Sequence, residues 1–160
     1  MAKKDLPMTP AVRCLRANKI DFKPYFYAYQ EHGGALHTAA ALNVSGHQVV
    51  KTLVMEIDPS RPLLVLMHGD REVSTKQLAR KLGVKRVSPC DSNQAYKNTG
   101  YKVGGISPLG TRKKMPVYVE ASILAFDRIF INGGKRGFMV EIDPQDLGKV
   151  LPVKEVNVAV

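Results

Sequence analysis

Apolar positions along this 160-residue chain change their spacing repeatedly, and each change marks an element. Ala11, Val12 and Leu15, completed by Leu6 or Ile20, line one side of a predicted first helix. Thr9 before Pro10 supplies a capping hydroxyl and a proline fitted to the first turn. KPYFYAYQ (23–30) is rich in aromatics and predicts a strand. ALHTAAALNV (35–44) predicts a short helix after the Gly33-Gly34 pair. QVVKTLVMEI (48–57) and PLLVLMHGD (62–70) predict two strands, and DPSRP (58–62) between them makes the pair a hairpin.

STKQLARKLG (74–83) predicts an amphipathic helix, with Ser74 as cap, Leu78 and Leu82 four apart, and Gly83 as the stop. VKRVSP (84–89) predicts a short strand and CDSNQAYKNTG (90–100) a helix ending at Gly100. MPVYVEAS (115–122) and DRIFINGGKRGFMVEID (127–143) are strand-like. The second predicts a hairpin turning at Asn132-Gly133, between Ile129, Ile131, Phe138 and Val140. DPQDLGKVL (143–151) predicts a last short helix and VNVAV (156–160) a closing strand. Strands outnumber helices, neighbours look antiparallel, and neither βαβ alternation nor a repeat is present. The expected class is α+β: one domain over 1–160, with a mixed, mostly antiparallel, curved sheet and helices packed around it.

Composition adds bounds. At 44% hydrophobic and 24% charged residues, the chain reads as an ordinary soluble globular protein. No apolar run approaches the roughly 18 residues of a membrane span, and MAKKDLPMTP lacks the apolar stretch of a signal peptide. Cys14 and Cys90 are far apart, and His32, His37, His47 and His68 are scattered without ligand spacing. The expectation is a reducing, cytoplasmic setting with no metal and no cofactor. Charge changes the picture more: 24 Lys and Arg against 14 Asp and Glu give a net +10, which points to a polyanionic partner, nucleic acid first.

Candidate chemistry begins with Lys51, an ammonium inside an apolar strand. With period two, Val49, Lys51, Leu53 and Met55 share one face, while Val50, Thr52 and Val54 share the other. A lysine there either snorkels out and guards a sheet edge, or points into a pocket where an anion offsets its desolvation. In YKVGGISPLGTRKK (101–114), Gly104 and Gly105 let a ligand approach the backbone, Pro108 stiffens the loop, and Arg112, Lys113 and Lys114 add charge. The stretch is neither a Walker loop nor a dinucleotide fingerprint, and Ser107 lacks the GxSxG setting of a nucleophile elbow. Asp70 and Glu72 read as a helix-start cluster rather than an acid pair, and Cys14 and Cys90 as core or neutral positions.

VVKTLV, TGYKVGGISPLGTRKK and INGGKRGFMVEIDPQDLGKVL, in this order, resemble the YbaK family of aminoacyl-tRNA trans-editing proteins. That family is related to the insertion domain of bacterial prolyl-tRNA synthetase. The likeness runs from about Met8 to the final strand and is closest to the branch that deacylates Cys-tRNA(Pro). It implies a barrel-like mixed sheet. It matches Lys51 to the family's essential lysine, Gly104, Gly105, Ile106, Ser107 and Pro108 to its G-x-x-x-P loop, and Tyr27 to a pocket wall. Thr52, Asn132 and Arg136 join Tyr27 as expected substrate contacts, although Asn132 stands where relatives carry a small hydroxyl residue. The resemblance also implies tRNA as partner, prolyl-tRNA synthetase as a source of tRNA selection, and no membrane. In its cysteine-specific members the substrate's own thiol attacks the ester. Lys51 would then hold the terminal phosphate or the α-amino region, and the glycine loop would meet the sugar hydroxyls and the ester.

Overall fold

The computed structural model describes residues 5–160. Among the described residues five α-helices form, each at a segment expected to be helical: α1 (Pro10–Ala17), α2 (Gly34–Leu42), α3 (Thr75–Leu82), α4 (Ser92–Thr99) and the single turn α5 (Leu147–Val150). Three of them open on a side-chain cap that satisfies an otherwise orphaned amide. Thr9 accepts from the Val12 amide, Ser74 from Gln77 and Asp91 from Gln94. None of the helices of the described residues is long and apolar enough to cross a membrane.

The strands are β1 (Lys23–Phe26), β2 (Val50–Glu56), β3 (Pro62–His68), β4 (Ser88–Pro89), β5 (Val117–Glu120), β6 (Ile129–Lys135), β7 (Phe138–Ile142) and β8 (Val153–Val156). They form two sheets, ordered β1-β7-β6 and β4-β2-β3-β5-β8. The pairings within β1-β7-β6 and β4-β2-β3 are antiparallel, whereas β3-β5 and β5-β8 are parallel. The mixed α+β class is as expected, but the sheets do not close into a barrel. A single parallel bridge, Val49 to Phe130, links them.

β3 is buried on both faces, which explains its unbroken apolar run. Leu64 and Leu66 enter a large core with Val12, Leu15, Val50, Val54, Ile131 and Val140. Leu63, Val65 and Met67 enter a second core under Leu78 of α3. Each such buried side chain contributes about 1.5–3 kcal/mol, so both faces of this hairpin are strongly held.

Four local expectations are corrected. The strand at 23–30 ends at Phe26, opposite Phe138. Its partner turns away there, so after one last bond from the Tyr27 amide to the Gly137 carbonyl the chain leaves the sheet. Within 84–89 only Ser88 and Pro89 pair, and proline has no amide with which to extend the ladder. Asn132-Gly133 does not turn the hairpin. Arg136 and Gly137 do, between the paired Lys135 and Phe138, with Gly137 at φ +80°. Asn132 instead sits at a bulge, where its side-chain oxygen accepts from the Gly134 and Lys135 amides. The last strand is Val153–Val156, but VNVAV still pairs further along: Val73 bridges Ala159, and Glu72 exchanges both backbone bonds with Val160.

His68, at the end of β3, is 1% exposed. Its Nδ1 faces the His47 carbonyl at 2.6 Å, which can only accept, so Nδ1 carries the proton and Nε2 accepts from Ser122 Oγ at 2.6 Å. His47 stacks on the ring at 3.6 Å and binds Asp70 at 2.8 Å. Burial pushes the His68 pKa below its ordinary value, against the pull of the His47 carbonyl and the Asp70 and Glu120 carboxylates. The unfolded chain therefore takes up this proton more readily than the folded one, and stability rises with pH. This contribution is complete above about pH 6.5, the unfolded value, and is lost as pH falls toward the folded one. Urea melts at pH 7.5 and 5 are expected to show an acid loss that His68→Gln reduces. An identical loss in that variant would assign it to other groups.

Candidate functional site

The site grows out of an interruption in pairing. Strand alternation turns the peptide groups of Lys51 and Leu53 toward β3 and those of Val50, Thr52 and Val54 toward the opposite edge. On that edge the Val49–Phe130 bridge holds the start of β2, and the Met55–Pro89 pair holds its end. Between them β2 has no strand neighbour, and a cleft of about 840 Å³ opens along it.

Of the ten residues expected to form the site, the structure brings seven to this cleft: Tyr27, Lys51, Thr52, Gly104, Ile106, Asn132 and Arg136. Gly105, Ser107 and Pro108 do not line it. All three are buried beneath the loop. The Ser107 hydroxyl accepts from the Leu109 amide at 3.1 Å, so it holds the turn. A Cβ on Gly105 would lie 2.8 Å from the Arg136 amide nitrogen, so glycine is what lets the loop press on the β6–β7 hairpin. Gly104 has φ +90°, and a Cβ there would lie 2.6 Å from the Tyr29 hydroxyl oxygen.

Side chains then fasten this loop. Asn132 Nδ2 donates to the Gly104 carbonyl at 3.1 Å, while its oxygen is occupied by the bulge amides. Arg136 Nε donates to the Val103 carbonyl at 2.9 Å, and its guanidinium lies over the Tyr29 ring at 5.0 Å. Asn132 thus ties the loop to the β6 bulge, one end of its amide on each, a role its spacing could not disclose.

Lys51 is only 21% exposed and reaches one anion, the Glu72 carboxylate, at 3.2 Å. Glu72 itself is 79% exposed. Such a pair is worth about 0–1 kcal/mol, so a ligand anion can replace the carboxylate at little cost. Glu72 had read as part of a helix start. Its place beside Lys51 depends on backbone bonds to Val160, a contact of long range that no local pattern announces. Thr52 Oγ1 is the one buried side-chain polar atom with no hydrogen-bond partner among the described residues. Leaving a buried hydroxyl unpaired costs about 1–3 kcal/mol, and the open edge beside it offers the Thr52 peptide groups as well.

Cys90 packs against the large core, as expected, and also lines the cleft. Burial pushes its thiol up to about 12, helped by its hydrogen bond to Glu56 at 3.2 Å and by the Glu56 and Asp91 charges. At neutral pH it stays a thiol, which is a poor nucleophile.

Residues 34–150 match the aminoacyl-tRNA editing domain. The chain belongs to that family. Among its relatives is a protein of Enterococcus faecalis named "Putative Cys-tRNA(Pro)/Cys-tRNA(Cys) deacylase EbsC", 31% identical over 89% of this chain and 88% of that one. A proline–tRNA ligase of Brachyspira hyodysenteriae is 27% identical over 58% of this chain but only 16% of its own length, as expected if the shared part is one segment of a larger enzyme. The fold is also that of a solved structure described as "a putative trans-editing enzyme for prolyl tRNA synthetase" (TM-score 0.80, 18% identity, 96% and 99% of the two chains covered). Lys51 of β2 and Gly104 and Ile106 of the glycine loop all line this one cleft.

Proposed function

We infer that the protein clears mischarged aminoacyl-tRNA by breaking the aminoacyl ester, with Cys-tRNA(Pro) as its substrate. The observation that carries this reading is the cleft along β2, where Lys51 and the unpaired Thr52 face the glycine loop. Its volume falls within the range of about 300–1,000 Å³ typical of small-molecule sites. The named Enterococcus relative supports the choice of cysteine.

In this reading Lys51 leaves Glu72 and takes the phosphate of the 3′-terminal adenosine. The Thr52 hydroxyl and edge peptide groups hold the aminoacyl arm, Tyr27 walls the pocket, and the loop at Gly104 and Ile106 meets the sugar hydroxyls. No group of the cleft needs to attack. The cysteine sulfur of the substrate closes on its own ester carbonyl, the carbon–oxygen bond to the ribose breaks, and the ribose hydroxyl leaves with the thiol proton. The product is a cyclic thioester of cysteine, which water later opens. Positioning alone can contribute on the order of 7–11 kcal/mol to such an intramolecular step. The +10 charge would hold the acceptor stem through its phosphates, and prolyl-tRNA synthetase would supply tRNA choice. A cytoplasmic location, where translation takes place, follows from this reading.

The test is a panel of Cys-tRNA(Pro), Ala-tRNA(Pro) and other aminoacyl-tRNAs. Rapid loss of the cysteine ester supports the reading. Preference for the alanine ester would show an attacking water, and binding without cleavage would show a carrier. Within the site, Thr52→Val is expected to stabilise the protein by about 1 kcal/mol, because it removes an unsatisfied hydroxyl at nearly constant shape. The same change should lower deacylation about tenfold. A variant less stable than the parent, or one as active, would remove Thr52 from the site.

A further inference from the structure

A second depression, of about 390 Å³, adjoins the cleft across a wall that both share: Tyr27, Tyr29 and Arg136. Its floor is aromatic, with the Phe26 and Phe138 rings stacked at 5.2 Å. Lys135 and Asp5 also line it, and Lys135 makes no ion pair among the described residues. We propose that this depression is a nucleobase subsite, which takes the penultimate base of an RNA strand whose aminoacylated 3′ residue lies in the cleft. The inference rests on the cleft being the aminoacyl-end site proposed above.

Three features converge on a base. The shared wall makes the two hollows consecutive, as successive nucleotides of one strand require. Phe26, Tyr27 and Tyr29 line the hollow together with the Arg136 guanidinium that lies over the Tyr29 ring, and such rings and guanidinium planes are the groups on which bases stack. The charges are divided: Lys135 can meet the phosphate on the 5′ side of the penultimate nucleotide, while the Asp5 carboxylate disfavours an anion inside the hollow and can accept from an exocyclic amine. A free phosphate or an acidic peptide would meet that carboxylate unfavourably, whereas cytosine or adenine presents an amine to it. In tRNA the penultimate residue is cytosine.

The experiment compares two substrates, a cysteine ester of adenosine alone and a cysteinylated RNA minihelix, with the parent protein and Lys135→Ala. Lys135 lies outside the cleft, so cleavage of the nucleoside ester should be unchanged. Cleavage of the minihelix should fall about tenfold in kcat/KM, as should cleavage by the parent when the penultimate nucleotide is abasic. Equal treatment of both substrates by Lys135→Ala, together with indifference to the abasic residue, would overturn the subsite. Binding of uncharged RNA, intact or abasic at that position, decides the point separately from activity by fluorescence anisotropy. If the parent cleaves no aminoacyl ester but still binds the intact end about tenfold better, the deacylase reading fails and the base subsite stands. Equal binding would remove the subsite whatever the activity.

Discussion

Lys51→Ala is expected to leave the protein folded and to reduce deacylation of its tRNA substrate by about a hundredfold. The two halves of this expectation come from different facts. Stability is little affected because the Lys51 ammonium lies in the cleft, and its one ion pair is with the largely exposed Glu72. Removing such a pair costs about 0–1 kcal/mol, and truncation widens an existing hollow rather than opening a new void in the core. Activity is strongly affected because the same ammonium is the cation that meets the anionic RNA end in the proposed complex. Truncating one partner of a desolvated, hydrogen-bonded charge pair costs about 2–5 kcal/mol, which corresponds to roughly one and a half to three and a half decades in kcat/KM. Circular dichroism with a thermal melt checks the first half, and a single-turnover time course checks the second. A folded variant with a near-parental rate would remove Lys51 from the mechanism.

What could be read from the chain was what local chemistry decides. Thr9 and Ser74 were legible as caps because a side-chain oxygen that satisfies an amide three residues on is a local event, and Asp91 caps α4 in the same way although the segment 90–100 read only as a helix. The β2–β3 hairpin was legible because Asp58 folds its own turn, accepting from the Ser60 hydroxyl, from Arg61 Nε and from the Ser60 amide, and these bonds hold its carboxyl down at about 2. Asn132-Gly133 misled for an equally physical reason. The dipeptide suits a tight turn, but the register of β6 against β7 puts the turn four residues later, and the asparagine amide is used across the fold on Gly104. The cleft itself depends on a missing strand neighbour at Thr52, and pairing that does not occur leaves no periodic mark. Lys51 stood out in its apolar run, yet Glu72 and Cys90 did not, since each reaches the cleft by contacts between distant segments. Tyr29 was visible as an aromatic but became specific only when Arg136 was found over its ring.

The largest substrate effect expected is the difference between two isosteric esters. Ser-tRNA(Pro) should be cleaved at least about a hundredfold more slowly than Cys-tRNA(Pro), although both side chains fit the same hollow. A free thiol has a pKa near 8.5, so a few per cent is thiolate at neutral pH, and sulfur is an intrinsically strong nucleophile, whereas a serine hydroxyl remains protonated. The chain's own thiols cannot take over this step. Cys90 is in the cleft, but with its thiol pushed up to about 12 the thiolate is scarce at neutral pH, and Glu56 holds the proton in place. Cys14 is no part of the cleft lining. It lies against the large core, where Asn18 Nδ2 donates to its carbonyl. Replacing both Cys14 and Cys90 by serine should therefore leave the rate on Cys-tRNA(Pro) within about twofold, and mass spectrometry at short times should detect a dehydrated cysteine species before free cysteine accumulates. Equal rates on the serine and cysteine esters would mean that water attacks in both. Loss of activity in the folded double variant would mean that a thiol of the protein attacks, and the mechanism would then have to be built on Cys90 instead of on the substrate.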